Sequence, residues 1–166
     1  VLQVAMNRVF LIYLYCVSFG VYALPDDAKQ PIQVKAYTVV IDERKGLSTY
    51  TGDAKVSQGS LMLSASKIEL YSNQKEVTKV IAIGGKKKLA YYKQNQPNRS
   101  RFIEARAMKI NYLIKKEIVQ LRGKAHLIQG FDKFSGGTLD YDVKNDKVIL
   151  EQSKDGKERV KFKIKL

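Results

Sequence analysis

Tyr50-Thr-Gly-Asp-Ala-Lys-Val-Ser-Gln-Gly59 and, 71 residues later, Leu121-Arg-Gly-Lys-Ala-His-Leu-Ile-Gln-Gly130 are two spellings of one strand. In the first, Tyr50, Gly52, Ala54, Val56 and Gln58 share one face, opposite Thr51, Asp53, Lys55 and Ser57. In the second, Leu121, Gly123, Ala125, Leu127 and Gln129 oppose Arg122, Lys124, His126 and Ile128. A period of two is the mark of a half-buried strand. The same offset sets Ala36 on Ala107, Val39 on Ile110, Ile41 on Tyr112, Ile68 on Leu139, Glu69 on Asp140 and Val77 on Val148, with no gap. Chance alternation supplies apolar matches, but not two glycines and a glutamine in register. One unit of strands is written twice, which predicts stacked, solenoid-like sheets rather than a closed globule.

Alternation continues through Ile32-Gln-Val-Lys-Ala36, Leu61-Met-Leu63, Lys67-Ile-Glu-Leu70, Leu139-Asp-Tyr-Asp-Val143 and Val160-Lys-Phe-Lys-Ile-Lys-Leu166. Turn signals punctuate it at Glu43-Arg-Lys-Gly46, Ser57-Gln-Gly59, Ser72-Asn-Gln-Lys75, Gly84-Gly85, Gln94-Asn-Gln-Pro-Asn98, Gly136-Gly137, Lys144-Asn-Asp146 and Lys154-Asp-Gly156. This spacing predicts short antiparallel strands of about five to seven residues. Residues 105–113 also tempt a helical reading, although Ile110-Asn-Tyr112 fits a strand equally well. The class is all-β.

Composition narrows the chemistry. The chain has 166 residues, 30 Lys+Arg against 16 Asp+Glu, one His, one Cys and no Trp. That length suits one domain, and 45% apolar content excludes a disordered chain despite the +14 charge. One His and one Cys cannot build a His/Cys zinc site, and any Ser/His/Asp or Cys/His device would rest on His126 alone. Residues 1–23 stand apart. An uncharged stretch from Val9 to Tyr22 follows Asn7-Arg8 and ends in Val21-Tyr-Ala23, a small-x-small pattern, before polar Leu24-Pro-Asp-Asp. Its length fits a secretory signal peptide, with Met6 as the expected start, better than a membrane span; a retained anchor is the alternative. The residues around Cys16, Tyr13-Leu14-Tyr15, make a poor lipobox. Residues 24–166 then form one cysteine-free exported domain, expected in the periplasm, with a charge of +13 (29 Lys+Arg less 16 Asp+Glu).

Gln30-Pro-Ile-Gln-Val34 followed by the 50–59 motif, its second copy at 121–130, and Lys157-Glu-Arg-Val160 before a last strand resemble the OstA-like family of lipopolysaccharide transport. The resemblance covers residues 28–166 and is nearest to the family's periplasmic bridge member. The chain departs from the family at Gly85-Lys-Lys-Lys-Leu-Ala90, where a Pro often follows the Gly. The resemblance implies a slightly open, V-shaped β-jellyroll with an apolar interior groove and head-to-tail strand pairing between like domains. It also implies lipopolysaccharide as ligand, and pairing with inner-membrane-anchored and outer-membrane components of the bridge.

Such a groove answers a physical need. Each CH₂ moved from lipid to water costs roughly 0.8 kcal/mol, so one acyl chain costs on the order of 10 kcal/mol. The Gly and Ala on the inward face have two readings: they meet bulky residues of a facing sheet, or they leave a slot for acyl chains. On the second, Tyr50, Val56, Leu63, Tyr112, Leu121, Leu127 and Tyr141 line the lipid path. Ile32, Val34, Val39, Ile41, Leu61 and Leu70 extend it in the first half, and Phe102, Ile110 and Leu139 in the second.

The remaining candidates carry little chemistry. Lys86-Lys-Lys88 reads as a solvated run or as an attraction for phosphorylated headgroups at the groove rim. Export and the absence of a recognisable module disfavour nucleic acid, so Tyr91-Tyr92 reads as alternating core tyrosine. His126 lies on the outward face. Asp140 and Asp142 sit about 7 Å apart on one side of a strand, compatible with glycosidase spacing but read as solvent-facing alternates. No phosphate loop is present. No enzyme activity, cofactor or metal is expected; the alternatives to a bridge are a membrane-anchored OstA-like component or a polyanion-binding β-sandwich module.

An open stack leaves two unpaired edges. They are expected at the first strand, Ile32, Gln33, Val34, Lys35 and Ala36, and at the last, Val160, Lys161, Phe162, Lys163 and Ile164 on to Leu166. Pro31 precedes the first without interrupting it, and the lysines of the last share one face, leaving its backbone free. Head-to-tail homo-oligomers follow, because a heterologous contact does not close on itself.

Overall fold

Alternation becomes twelve antiparallel strands: β1 (Gln33–Lys35), β2 (Thr38–Asp42), β3 (Leu47–Gln58), β4 (Leu61–Asn73), β5 (Glu76–Ile83), β6 (Ala90–Asn95), β7 (Phe102–Ala107), β8 (Lys109–Leu113), β9 (Ile118–Gln129), β10 (Asp132–Asp142), β11 (Lys147–Glu151) and β12 (Lys161–Lys163). The computed structural model describes residues 27–74, 76–96, 101–153, 156, 157 and 159–165. The expected signal peptide with Met6 and Cys16, parts of three turn signals, and Leu166 lie outside the described residues. Residues 105–113 are strand, split between β7 and β8.

Four strands are far longer than the turn signals suggested: β3, β4, β9 and β10 run for 12, 13, 12 and 11 residues. They survive because each pair bends instead of breaking. Between Thr51 and Ala54 on β3, and between Gly136 and Thr138 on β10, the register shifts by a β-bulge. Gly136-Gly137 is therefore not a turn. It lies inside β10, where a Cβ on Gly137 would fall 2.3 Å from the Cα of Ser153.

The bend divides the sheet into two layers that share the long strands. β4 pairs with β5 through residues 67–73 and with β6 through 62–64. β9 pairs with β8 through 118–122 and with β7 through 126–129. The first layer therefore runs β2-β3-β4-β5-β8-β9-β10-β11, and the second β1-β3-β4-β6-β7-β9-β10-β12. All-β jellyroll architecture is the outcome, as expected.

The repeat is structural. Adding 71 to the bounds of β2 and β3 gives those of β8 and β9, and Val34↔Val56 and Thr38↔Thr51 recur as Ala105↔Leu127 and Lys109↔Arg122. The offset slips only late. By pairing to β10, Val148 is the counterpart of Val80, not of Val77, because the β10–β11 hairpin closes three residues sooner.

The core lies between the layers. Leu63, Ile68, Tyr92, Ile103, Leu121 and Tyr141 are among its fully buried side chains, each contributing roughly 1.5–3 kcal/mol. The outer faces differ in charge. On the first layer, Lys67, Lys79, Lys109, Arg122 and Lys147 share their face with Asp42, Glu69, Asp140, Asp142 and Glu151. The second carries Lys35, Lys55, Lys93, Arg106, Lys133, Lys161 and Lys163 against Glu104.

At the bend, Gly52 has φ +84 and a Cβ there would fall 2.4 Å from the Tyr37 ring; Gly123, its counterpart, has φ +75 with Met108 at 3.0 Å. Gly52→Ala should lower stability by about 1–3 kcal/mol, whereas Gly85→Ala, which meets nothing within 4 Å, should be close to neutral. Urea unfolding monitored by circular dichroism separates the two.

Candidate functional site

Two inward rows of side chains cross the first layer and one crosses the second. The second layer presents Val34, Val56, Leu63, Tyr92, Ala105, Leu127, Phe134 and Phe162 in unbroken cross-strand register. The first presents Val39, Tyr50, Ile68, Ala82, Ile110, Leu121, Leu139 and Leu150, then Ile41, Ser48, Leu70, Val80, Tyr112, Val119, Tyr141 and Val148. Almost every residue expected to face a lipid path is thus inward. Leu61 is buried as well, and Ile32 precedes β1 at the rim, 38% exposed. Phe102 is the exception. It points outward, 40% exposed beneath the Lys93 ammonium at 4.8 Å, while fully buried Ile103 takes the inward place. A one-residue error in parity accounts for this, because the sequence Pro97-Asn-Arg-Ser100 before β7 carries no alternation to phase it.

The inward face is not an open slot here. Ala54 pairs with Ala65 and Ala125 with Gly136, all at the bend, where the glycine Cβ positions are taken by Tyr37 and Met108. The small residues mark close backbone approach at the bend. Tyr92 and Tyr112 meet edge to face, with centroids 5.9 Å apart, filling the space between layers.

At the strand tips, away from the bend, two carboxylates gather hydrogen bonds: Asp146 ties the two layers, and Asp27 ties elements of the second layer to one another. Asp146, in the β10–β11 turn of the first layer, accepts hydrogen bonds from Gln129 and from Gln96 (3.2 Å) of the second, and from Tyr141 (2.9 Å). Asp27, in a 3₁₀ turn (Asp27–Lys29), accepts from the Ser60 amide (2.7 Å), the Ser60 hydroxyl and Gln94 (3.1 Å); Tyr92 donates in turn to Gln94. Alternation had no means of finding these carboxylates: Asp146 reads as a turn residue, and Asp27 precedes the first strand.

Both ends of the sheet are open, and each is compound. β1 and β2 lie end to end along β3, and β11 and β12 along β10. Residues 32–36 and 160–164 do lie at the edges, but β2 and β11 form the other half of each. The internal repeat shows what these edges lack. Within the chain, β5 and β6 of the first copy pair with β8 and β7 of the second. There Tyr92 and Ile110 are 0% and Tyr112 8% exposed; their edge counterparts Phe162, Val39 and Ile41 are 70%, 50% and 62% exposed.

The catalytic candidates do not converge. His126 is exposed on the outer face, and Asp140 accepts from Arg122 in an ion pair. Among the described residues no group of three His, Cys, Asp or Glu is placed to hold a metal, and no helix is long and apolar enough to cross a membrane.

This double-layered, edge-open geometry has known counterparts. A family model described as LptA/(LptD N-terminal domain) LPS transport protein matches residues 33–147. The chain belongs to this family. The lipopolysaccharide export system protein LptH of Pseudomonas aeruginosa is 32% identical over 121 residues, covering 73% of this chain and 68% of that protein. The lipopolysaccharide export system protein LptA of Escherichia coli K12 is 28% identical over 146 residues, covering 88% and 78%. Among solved structures, LptH of P. aeruginosa, described as the LptA homologous periplasmic component of the conserved lipopolysaccharide transport device, superposes with a TM-score of 0.75. That match has 27% identity and covers 86% of this chain and all of the other. The LptA/LptD N-terminal family thus accounts for the fold from β1 almost to β11.

The interior tyrosines supply a test of how tightly the layers are closed. Burial, with smaller contributions from the Glu117 and Asp27 carboxylates, pushes the Tyr112 phenol up to about 12, and burial raises that of Tyr92 well above its ordinary value. The folded state therefore holds these protons more tightly than the unfolded state. Their stabilisation is fully present below pH ~10 and is lost as pH rises towards 12. Tyr112→Phe should remove on the order of 2 kcal/mol of that alkaline loss, read from denaturation midpoints between pH 9 and 12.

Proposed function

We propose that this chain is a periplasmic lipopolysaccharide carrier. It takes the lipid's acyl chains between its two layers and passes them along a head-to-tail series of like domains. The series joins an inner-membrane-anchored component to an outer-membrane component of the transport bridge. It works as a carrier rather than an enzyme, without cofactor or nucleic acid, and residues 24–166 form its functional domain after loss of the signal peptide. The relatives named for lipopolysaccharide export support the ligand. The paired internal junction, repeated as two open edges, is the observation that supports the assembly.

That junction supplies a register. Val80 pairs with Tyr112 and Ala82 with Ile110 inside the chain; the counterparts are Val148 with Ile41 and Leu150 with Val39 of the next copy. Tyr92 pairs with Ala105, which becomes Phe162 with Val34. The same register brings Lys147 opposite Asp42. Burying one such side chain contributes at most roughly 1.5–3 kcal/mol, against an association cost of roughly 4–15 kcal/mol. The contact is therefore weak and concentration-dependent, and it builds open chains.

Loading requires the layers to part at the tips, where the Asp146 bridge to Gln96 and Gln129 holds them, since the bend on the other side is continuous through the long strands. Photocrosslinkers at inward Val56 and Leu127 should capture lipopolysaccharide, and those at outward Lys55 and His126 should not; equal labelling of both parities would exclude an interior path. A protein with Cys at both Val40 and Ile149 should oxidise into a ladder of disulfide-linked oligomers. Moving the second Cys to Leu150, which faces inward, should abolish the ladder, and Val34→Pro should shorten it. Ladders of equal yield from both pairs would reject the register.

A further inference from the structure

The charge of the chain is concentrated on one face. An outward row crosses all eight strands of the second layer: Lys35, Lys55, Ser64, Tyr91, Arg106, His126, Ser135 and Lys161 are successive cross-strand neighbours. The adjacent row adds Lys93, Lys133 and Lys163. Among the described residues Lys93 is answered by Glu104 at 3.4 Å, and Asp53, paired with Lys88, stands near Lys55. On the opposite outer face, by contrast, Lys67 meets Glu69 at 2.7 Å and Arg122 meets Asp140.

This face also repeats. Two concavities of about 610 and 620 Å³ open on it at positions 71 residues apart: one lined by Lys35, Lys55 and Ser64, the other by Arg106, His126 and Ser135. The first also holds Asp53, paired with Lys88, and the second adds Lys133, Lys161 and Lys163, so the cationic donors for an anionic headgroup are densest in the second. Apolar side chains stand exposed beside the cations: Met62 at 45%, Phe102 at 40%, and Phe131 at 75% with the Lys165 ammonium 4.5 Å from its ring. Eight strands about 4.8 Å apart make the face roughly 34 Å wide.

We propose that this outer face of the second layer docks on an anionic phospholipid bilayer surface. A soluble polyanion would use the cations alone. A bilayer interface also takes the aromatic and methionine side chains, and it matches a broad charged surface better than a single ligand does. The transport reading places acyl chains on the other side of this sheet, so the two ligands do not compete for side chains.

The test uses the full-length mature chain and sedimentation with vesicles free of lipopolysaccharide, made of phosphatidylcholine with or without phosphatidylglycerol. Binding should require phosphatidylglycerol and weaken with salt. Since each basic residue at such a surface is worth about fivefold in affinity, Lys55→Glu/Arg106→Glu/Lys133→Glu should cost at least about tenfold. Lys79→Glu/Lys109→Glu/Lys147→Glu, which changes net charge equally on the other face, should cost several-fold less; circular dichroism checks that both remain folded. Phe131→Ser should weaken vesicle binding without changing the salt dependence. Equal losses in the two triple variants would overturn the face assignment. Equal binding to phosphatidylcholine alone would overturn the anionic surface, and full displacement by inorganic polyphosphate with no effect of Phe131→Ser would assign a soluble polyanion instead. Failure of this test leaves the lipopolysaccharide crosslinking result untouched, and the reverse also holds.

Discussion

The bend shared by β3, β4, β9 and β10 is the constraint on which everything else rests. A straight 12-residue strand is about 40 Å long and would make one flat sheet with no core. An extra residue in each long hairpin, Gly52-Asp53 in one copy and Gly123-Lys124 in the other, turns both halves towards each other. Only then do the inward rows of the two layers meet. Both Asp53 and Lys124 sit at positive φ, at 41° and 50°, a conformation retained because the bend buries so much apolar surface. Tyr37 and Met108, equivalent in sequence, plug the two bulges from the adjoining strand breaks.

The same device leaves the sheet unable to close. The layers are joined through the long strands, so the ends of the stack carry two collinear half-strands each, and none has a further partner among the described residues. Exposed Phe162, Ile41 and Val39 occupy the places that Tyr92, Tyr112 and Ile110 fill in the interior. A duplicated unit thus carries its own template for association: what joins copy one to copy two is available to join one chain to the next. Under the head-to-tail pairing proposed above, the contact would be reversible, because few side chains would be newly buried.

The interior and the outer faces divide the remaining work. Tightly packed tyrosines and aliphatic residues fill the space between layers, and at the tips Asp146 adds a polar link that does not depend on apolar contact. A carboxylate accepting several hydrogen bonds stabilises the closed state without filling volume, and water can replace it when the tips part. The outer faces carry the charge, balanced on one layer and cationic on the other. Charge on a strand's outer face does not disturb the core, which lets a sheet of this kind hold an apolar interior and a net charge above ten at once.

Period-two alternation and a 71-residue self-match sufficed for fold class, for the inward parity of Tyr50, Val56, Leu121 and Leu127, and for the two ends of the stack. Those properties are local: whichever way a strand packs, its side chains alternate. The lengths of the long strands were hidden, because Gly136-Gly137 spells a turn, whereas it runs through β10 opposite the bulged Gly123-Lys124 of β9. Phe102 and Ile103 could be phased only by their partners on β6 and β9. Pairing of β11 to β10 moved Val148 onto Val80, since the shorter hairpin costs no sequence signal. The tips, where Asp27 and Asp146 reach residues tens of positions away, belong wholly to tertiary structure. A hydrogen bond across two layers depends on where the layers meet, and no periodicity along one strand encodes that distance.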